Sequence, residues 1–370
     1  MLKNYITAFS FFMSLSLTAQ IVSIPDANFK DALVNTICVD NDGTLGPDID
    51  ADLNNDGEIQ LSEAEAVING LYVNGRNITS LEGIESFSNL INLHCESNVL
   101  SQLDLSQNPN LEVLHCGGGN LFSSLDVSEI TNLRFLDCSY NSLSSLIMNN
   151  NSNLEVIYCE SNNLTQIDLS GTPNLIYLAC QSNQLTNLDV SAVPNLDGLT
   201  CQLNQITSLD ISNNPVLYRM SFRDNNLVNL NVSNGNNTNF TSMWAFGNPN
   251  LMCIEVDDVT YSNAQSCDQT TGTGWCIDPS ASYSEDCILG TNTISENKTI
   301  SIFPNPTQDN LYIVSKELEI NHIRLFSSEG KFIKEYISDS EIDVSFLSRG
   351  LYFIELTSEG KTLVEKFVKL

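Results

Sequence analysis

The chain is poor in basic residues: 15 Lys and Arg stand against 45 Asp and Glu among 370 residues, giving a formal charge of −30 at pH 7. Such a surface repels phosphate backbones and anionic membranes, so we predict that the chain binds no nucleic acid. Histidine is also scarce, with three residues, and the sequence has no H-E-x-x-H, G-x-S-x-G or phosphate-cradling glycine loop. These absences lead us to predict that the protein is not an enzyme.

Apolar runs of about 18 residues, the length that crosses a membrane, are missing too. The most apolar stretch lies at the N-terminus, where Lys3 precedes the segment Ile6 to Leu17 and the small residues Thr18 and Ala19 follow. This pattern is typical of a secretory signal peptide, which we place at residues 1–19. Export permits disulfide bonds and predicts a mature chain without a membrane span.

What the chain does contain is a repeat of about 21 residues. The units open with Asn-Leu or a close variant at positions 89, 110, 132, 153, 174, 195, 216 and 239, and their pattern is L-x-x-L-x-C-x-x-N-x-L-x-x-L-D-[LVI]-S. A single coil cannot bury its own leucines, so successive coils must stack. The pattern predicts a mainly β, right-handed leucine-rich-repeat solenoid over residues 68–252. Coils this short leave room for only strand-like or irregular backbone, as at Leu103-Asp104-Leu105, on the side opposite the main strand.

Residues 68–252 resemble the internalin-like bacterial leucine-rich-repeat proteins, most closely the versions common in flavobacteria. The resemblance implies a fold and a binding role, but it names no ligand.

An asparagine follows the main strand of most units, at positions 98, 141, 162, 183, 204, 225 and 248. We expect its amide to point inward and to satisfy backbone groups that a tight turn leaves unpaired. In the second unit Gly119 holds this position and Asn120 comes one residue later, which predicts a bulge.

Six of the eleven cysteines occupy one inward position in successive units, namely Cys95, Cys116, Cys138, Cys159, Cys180 and Cys201. A disulfide or metal site is one interpretation of such a column. Buried free thiols fit better, because the column runs along the solenoid axis and neighbouring Cβ atoms point in parallel rather than toward each other.

Four further cysteines lie in residues 253–289, which we predict to be a C-terminal cap that closes the open end of the solenoid. Disulfides suit a short irregular cap, and four cysteines allow three pairings. Nesting suggests Cys253–Cys287 around Cys267–Cys276, which leaves Cys38 unpaired.

The N-terminal cap, residues 20–67, contains the segment D-L-N-N-D-G-E-I-Q-L-S-E at positions 52–63. Its oxygen-bearing residues, glycine and final glutamate match the twelve-residue EF-hand loop. We predict a calcium ion bound by Asp52, Asn54, Asp56, the backbone carbonyl of Glu58, and Glu63; a solvated acidic turn is the alternative. The loop resembles single EF-hand or dockerin-like loops, which implies a structural clamp rather than a switch.

Upstream of this loop, Phe29, Ala32, Leu33 and Ile37 fall at helical spacing after Pro25-Asp26. They predict a short helix that covers the first coil.

Residues 300–370 follow a linker at 290–299 and contain short alternating strands at 311–314, 322–326, 351–356 and 363–368, which predict a small β-sandwich. The segments Ile302-Phe303-Pro304-Asn305-Pro306, Gly350-Leu351-Tyr352-Phe353 and Lys366-Phe367-Val368-Lys369 resemble the sorting domain of Bacteroidetes type IX secretion. The resemblance implies recognition by the type IX secretion machinery at the outer membrane, then proteolytic removal or attachment to surface lipopolysaccharide. The protein is therefore expected outside the cell or at its surface; an ordinary adhesive sandwich is the alternative.

The outward strand positions predict a ligand-binding face toward the C-terminal half of the solenoid. Large aromatic and arginine side chains there have no core to fill, and they are Phe135, Tyr158, Tyr177, Arg219, Arg223, Trp244 and Phe246. The arginines are expected to pair with a carboxylate or sulfate on the partner, and the last two aromatics would alternatively pack under the cap. We predict a non-catalytic binding or adhesion protein whose concave face binds a protein or a glycan.

Two other functions remain compatible with the sequence. His94, His115 and Asp137 share one outward position on adjacent strands, with Glu96 nearby, and would suit a transition metal in a metal-dependent enzyme or factor. A structural surface-layer component is the third possibility, and it should self-associate at high concentration.

Overall fold

The computed structural model describes residues 20–44, 46–268, 273–287, 300–315, 320, 322–328, 331–337, 341–358 and 361–370. The predicted signal peptide and the predicted linker lie outside the described residues. The chain divides into two compact units, Met1–Glu285 and Asp286–Leu370. The division falls a few residues before the predicted linker.

The first unit is a solenoid whose coils each give one short strand to a twelve-stranded sheet. In spatial order the strands are Val39–Asp40, Gly70–Tyr72, Asn92–His94, Val113–His115, Phe135–Asp137, Val156–Tyr158, Tyr177–Ala179, Gly198–Thr200, Arg219–Ser221, Ser242–Trp244, Thr273–Cys276 and Cys267–Asp268. The inner ten are parallel and in register, and the two outermost strands pair antiparallel to them. We call the outward side of this sheet the concave face.

The core of the solenoid is built by the alternation of side chains along each strand. In the strand Asn92–His94, Leu93 and the following Cys95 are completely buried, whereas His94 is half-buried on the concave face. The same pattern repeats from coil to coil, so one hydrophobic core runs from Val22 to Trp275. Full burial of each leucine contributes roughly 1.5–3 kcal/mol, which explains why the period survives where other positions vary.

The opposite side of the coils carries a second, sparser set of strands. They are Ser124–Asp126, Ser145–Ile147, Ser208–Asp210, Asn229–Asn231, Cys253–Glu255 and Ser282–Ser284. Residues 103–105 have no regular structure. The prediction of strand-like or irregular backbone on this side is confirmed. Two 3-10 turns complete the coils, Ile84–Ser86 and Asn237–Asn239.

The predicted asparagines form a buried ladder along the solenoid. Asn183 is typical: its Nδ2 donates to the carbonyls of Cys159 and Cys180, and its Oδ1 accepts from the backbone N–H of Leu164. One side chain therefore satisfies backbone groups of adjacent coils that no strand partner reaches.

The second repeat accommodates its extra residue without losing the ladder. Gly118 and Gly119 both adopt positive φ, and Asn120 then occupies the ladder position, donating to the carbonyls of Cys95 and Cys116. In the next coil Asn141 keeps its two donations, but its Oδ1 accepts no hydrogen bond. The extra residue in the second repeat is thus accompanied by the loss of one hydrogen bond, the one that Asn141 Oδ1 would accept.

The cysteine column consists of free, completely buried thiols, as predicted, and Cys38 is free and buried as well. Burial raises the pKa of the Cys201 thiol to about 12. These thiols pack as small apolar side chains under the strands.

The C-terminal end of the solenoid is closed by a cap. A disulfide joins Cys267 to Cys276 across the antiparallel strand pair, which confirms the inner of the two predicted bonds. Cys253 and Cys287 are disulfide-bonded cysteines too. The helix Val259–Asn263 completes the cap.

The N-terminal end begins with the helix Ala27–Asn35, capped by the Asp26 carboxylate, which accepts from the N–H groups of Asn28 and Phe29. Phe29, Ala32 and Leu33 are buried against the core, as predicted. Ile37 lies beyond the helix and is exposed, so its assignment to the buried face was wrong; the chain turns extended at Thr36. A second short helix spans Leu61–Ala64.

The second unit consists of two antiparallel sheets. One contains Ile300–Phe303, Asn310–Ser315 and Glu341–Asp343; the other, in spatial order, contains Phe332–Ile337, His322–Ser327, Gly350–Ser358 and Lys361–Lys369. Leu311 and Ile342 of the first sheet share one core with Ile323, Ile354 and Phe367 of the second. The predicted sandwich is confirmed, and its described residues contain three strands more than the four predicted.

Candidate functional site

A continuous row of aromatic rings crosses the concave face. It runs over six neighbouring strands, and we call its members the aromatic row: Tyr72, His94, His115, Phe135, Tyr158 and Tyr177. Successive ring centroids are 4.2, 4.4, 4.7, 5.7 and 5.5 Å apart. The side chains are half-buried, so they are neither core residues nor fully solvated ones. The strand spacing of about 4.8 Å imposes this separation, because each strand contributes one ring.

The orientation of the rings decides which of their atoms face outward from the row. The first two pairs are nearly parallel, with interplanar angles of 12° and 15°, and the later pairs are tilted by 37° to 47°. In a stack the neighbouring rings cover each face. The row therefore presents mainly ring edges, including the tyrosine hydroxyls and histidine nitrogens.

The C-terminal end of the aromatic row depends on a glycine that sequence reasoning missed. A Cβ atom on Gly198 would lie 2.6 Å from Cδ2 of Tyr177, so the ring occupies the space of a missing side chain. Arg219 on the next strand then lies over Tyr177, with its Cζ 5.7 Å from the ring centroid. Gly198 thus lets an aromatic ring and a guanidinium meet across three strands.

Both predicted ligand-binding arginines lie near the concave face but are already paired. Arg219 donates to the carboxylate of Asp197 at 2.9 Å, and Arg223 pairs with Asp224 at 2.9 Å. Each arginine is thus paired with a neighbouring acid, and its pairing with a carboxylate or sulfate on a partner stays a prediction. Their role on this face is aromatic contact as much as charge, since Arg223 also lies over Phe246.

Trp244 and Phe246 continue the concave face beyond Arg219. Their ring centroids are 6.1 Å apart and both side chains are half-buried. The aromatic contacts inside the cap instead join Trp275 to Phe240, Tyr261 and Tyr283. The structure therefore favours the concave face over the interpretation that these two residues pack under the cap.

The two histidines considered for a transition metal belong to the aromatic row instead. His94 stacks on His115, and His115 Nδ1 lies 3.7 Å from the Asp137 carboxylate. Throughout the described part of the chain, no three His, Cys, Asp or Glu side chains are arranged to hold a metal ion. Burial and the neighbouring His115 lower the pKa of His94 to about 4. The metal-site alternative was wrong, because His94, His115 and Asp137 do not converge as a metal-binding group.

Three carboxylates flank the aromatic row. Burial raises the pKa of Glu96 and of Glu160. Burial acts in the same direction on Asp137, but hydrogen bonds from His115 and Ser139 outweigh it and lower its pKa. One oxygen each of Glu96 and Glu160 is buried without a hydrogen-bond partner.

The acidic side chains predicted to bind calcium at 52–63 accept hydrogen bonds from the backbone of their own loop and do not form a preformed metal cluster. The Asp52 carboxylate accepts from the N–H groups of Asp56 and Gly57, and the Glu63 carboxylate accepts from those of Asn54 and Gln60. Gly57 has a φ of +83°, as the sharp turn requires. The side chain of Glu58 points elsewhere and pairs with Lys30 at 2.6 Å, which leaves its carbonyl as the only contribution predicted for it.

Comparison with known proteins identifies the second unit. Residues 301–370 match the family described as secretion system C-terminal sorting domain. A search of curated proteins finds no significant match. In the described part of the chain, no helix has the length and apolar character that a membrane span requires.

Several solved structures are similar to the chain. Internalin C2 from Listeria monocytogenes shares 23% identity over 63% of this chain and 93% of its own, with a TM-score of 0.45. A leucine-rich-repeat protein from Leptospira interrogans shares 21% over 60% and 62%, with a TM-score of 0.45. The functional domain of InlJ from Listeria monocytogenes, which includes a cysteine ladder, shares 18% over 95% and 98%, with a TM-score of 0.29.

The coils and their repeat define the first unit as a leucine-rich-repeat solenoid. The second unit can be assigned more specifically, because residues 301–370 are a sorting domain of type IX secretion. The protein is therefore secreted or displayed at the cell surface. The predicted fold and location are confirmed.

Proposed function

We propose that this protein is a non-catalytic binding or adhesion protein whose concave face binds a protein or glycan ligand outside the cell. The aromatic row carries the proposal. Six rings on consecutive strands keep partial exposure although a core lies directly beneath them. Exposed aromatic clusters of this kind are typical of recognition surfaces, because rigid rings give contact area at a small entropic cost.

The proposed ligand-binding residues are Phe135, Tyr158, Tyr177, Arg219, Arg223, Trp244 and Phe246. The structure adds support for Tyr72, His94 and His115, which continue the row toward the N-terminus. The face therefore extends over both halves of the solenoid, rather than the C-terminal half alone.

A combined variant tests the proposal. Tyr158→Ala, Tyr177→Ala and Arg219→Ala together should weaken binding to a ligand found on a glycan and protein array by at least about tenfold, since central aromatic and arginine contacts dominate interface energies. The melting temperature should change little, because none of the three side chains lies in the core.

The matched control replaces two exposed apolar residues away from the concave face, Val228→Ala and Met252→Ala. This control should bind as the wild type does. A triple variant that binds as tightly as the control would place the ligand on another surface.

We also propose that the N-terminal loop binds calcium as a structural clamp. Asp52 and Glu63 already direct their carboxylates into the loop, where Asn54 and Asp56 supply further oxygens. Hard Ca²⁺ prefers such oxygen donors, and its binding would replace hydrogen bonds that these carboxylates accept from the loop.

A further inference from the structure

The carboxylates beside the aromatic row carry information about the chemistry of the ligand. Glu96 and Glu160 occupy equivalent positions, two residues beyond the strands Asn92–His94 and Val156–Tyr158. Their buried oxygens without hydrogen-bond partners are acceptors, as is Oε1 of Gln202 two coils further along. These atoms are closed to solvent, so the protein leaves each carboxylate short of donors, and a ligand meets only its exposed part, which accepts hydrogen bonds.

Among the described residues, no Lys or Arg pairs with either carboxylate, and the basic groups beside Glu96 are the imidazoles of His94 and His115. Glu96 Oε2 lies 3.9 Å from Nδ1 of His94, but that imidazole is neutral at neutral pH because its pKa lies near 4. Among the residues that the structure describes, no ion pair engages Glu160. Half-buried negative charge of this kind attracts a cation.

The same face shows how such a cation would be held. Arg219 lies over Tyr177 and Tyr218 and donates to Asp197, so its guanidinium combines aromatic contact with a carboxylate. At Glu96 and Glu160 the ring and the carboxylate are both present, and no Lys or Arg in the described part of the chain forms an ion pair with either glutamate. Gly117 and Ser139 occupy the two intervening positions, and both are small.

We propose that the concave face binds a polypeptide segment that carries Arg or Lys side chains, with its cations paired to Glu96 and Glu160 beside the aromatic row. The two glutamates are three strand spacings apart, roughly 14 Å. An extended peptide advances about 3.3 Å per residue, so cations four residues apart span that distance. This inference rests on the proposed function and narrows it to a basic protein ligand.

The test uses the full chain and defined probes. The first probe is a peptide in which two arginines are separated by three Ser or Thr residues; the others are its glutamate counterpart, a glucose hexamer and a glucosamine hexamer. The wild type should bind the arginine peptide more tightly than any other probe. Glu96→Gln with Glu160→Gln should weaken that binding by at least about tenfold, because two half-buried charged contacts are lost.

The control removes the same charge from the opposite side of the coils, by Asp168→Asn with Asp189→Asn. Both aspartates are exposed there, and asparagine retains the oxygen that accepts from the backbone N–H of Ser170 or Ser191. The control should keep wild-type affinity, and all variants should melt at similar temperatures. Equal affinity of the Glu variant and the control would overturn the inference, as would absence of binding to the arginine peptide.

Other outcomes separate the inference from the proposed function. One such outcome is that the wild type prefers the glucose hexamer or the acidic peptide and that this binding is lost in the Tyr158, Tyr177 and Arg219 variant. This result would overturn the inference of a basic ligand but would support the concave face as the binding surface. Preference for the glucosamine hexamer would support a cationic ligand but would overturn the inference that the ligand is a polypeptide. Binding of every probe unchanged in that triple variant would refute the concave face itself.

Discussion

Single asparagine side chains decide how firmly neighbouring coils are joined. Asn183 donates to two buried carbonyls and accepts one backbone N–H, whereas Asn141 makes only the donations. Asn183→Ala should lower the free energy of unfolding by about 2–4 kcal/mol, because buried backbone groups lose their partners. Asn141→Ala should lower the free energy of unfolding by about 1 kcal/mol less than Asn183→Ala does, since no backbone N–H loses its acceptor. Thermal and urea unfolding of both variants would measure the difference, and equal losses would contradict it.

The pKa of His94 makes the stability of the solenoid depend on pH. Burial and the nearby His115 lower this pKa to about 4, whereas an unfolded histidine titrates near 6.5. Between these values the unfolded chain binds the proton first, so the free energy of unfolding contributed by His94 is present above about pH 6.5 and is lost as pH falls toward 4.

His94→Phe keeps a ring in the aromatic row and removes this titration. The melting temperature of the variant should fall less than that of the wild type between pH 6.5 and 4, measured by circular dichroism at fixed ionic strength. Carboxylates titrate in both proteins, so their effect on the melting temperature cancels in the comparison. Identical pH profiles would show that His94 is not protonated differently in the two states.

At the scale of elements, the sequence pattern predicts the coil and its buried positions well. Leucine, cysteine and asparagine recur at fixed offsets because each must fit the same space under the same strand, and the structure buries them accordingly. The continuity of the aromatic row is harder to predict. Phe135 and Tyr177 stand at the first outward position of their strands, whereas His94, His115 and Tyr158 stand at the third.

Rings at different positions meet only because long side chains lean across neighbouring strands. A comparison of equivalent positions therefore separates Phe135 from His115, although their rings are in contact. The pairing of Arg219 with Asp197 escapes the pattern for a similar reason, since the acid lies one coil earlier and precedes its strand. Side-chain reach, which periodicity does not encode, accounts for these errors.

The N-terminal loop should respond to calcium as one element. Calcium that binds only the folded state adds about 2.7 kcal/mol at a free concentration one hundred times Kd. Calcium should raise the melting temperature of the wild type, and Asp52→Ala with Glu63→Ala should abolish the rise. Both carboxylates also accept backbone hydrogen bonds, so the variant should melt lower even in EDTA, and the calcium-dependent difference is the informative quantity.

Asp42→Ala provides the control, because Asp42 is an exposed acid of the same cap outside the loop. It should keep the full response to calcium. A wild-type melting curve that is identical in calcium and in EDTA would refute the clamp.

For the whole molecule, two separate cores imply two separable roles. The solenoid core and the sandwich core share no residue, so loss of one unit leaves the packing of the other complete. Deletion of residues 300–370 should therefore leave a folded solenoid that accumulates in the periplasm, because the sorting domain is missing. Cell fractionation and protease treatment of intact cells would measure its location. Normal surface display of the truncated chain would contradict the role of the tail, and an unfolded product would contradict the independence of the cores.

The in-register pairing of coils determines how the solenoid can be lengthened by additional repeats. Each coil contacts only the coils before and after it, so duplication of one 21-residue unit, such as 153–173, inserts a strand without displacing any other pairing. The binding surface would lengthen by one strand spacing of about 4.8 Å and gain one more ring, thiol and asparagine at the same time. Ligand reach is thus adjustable by copy number, through a single recombination event, while every existing contact is inherited unchanged.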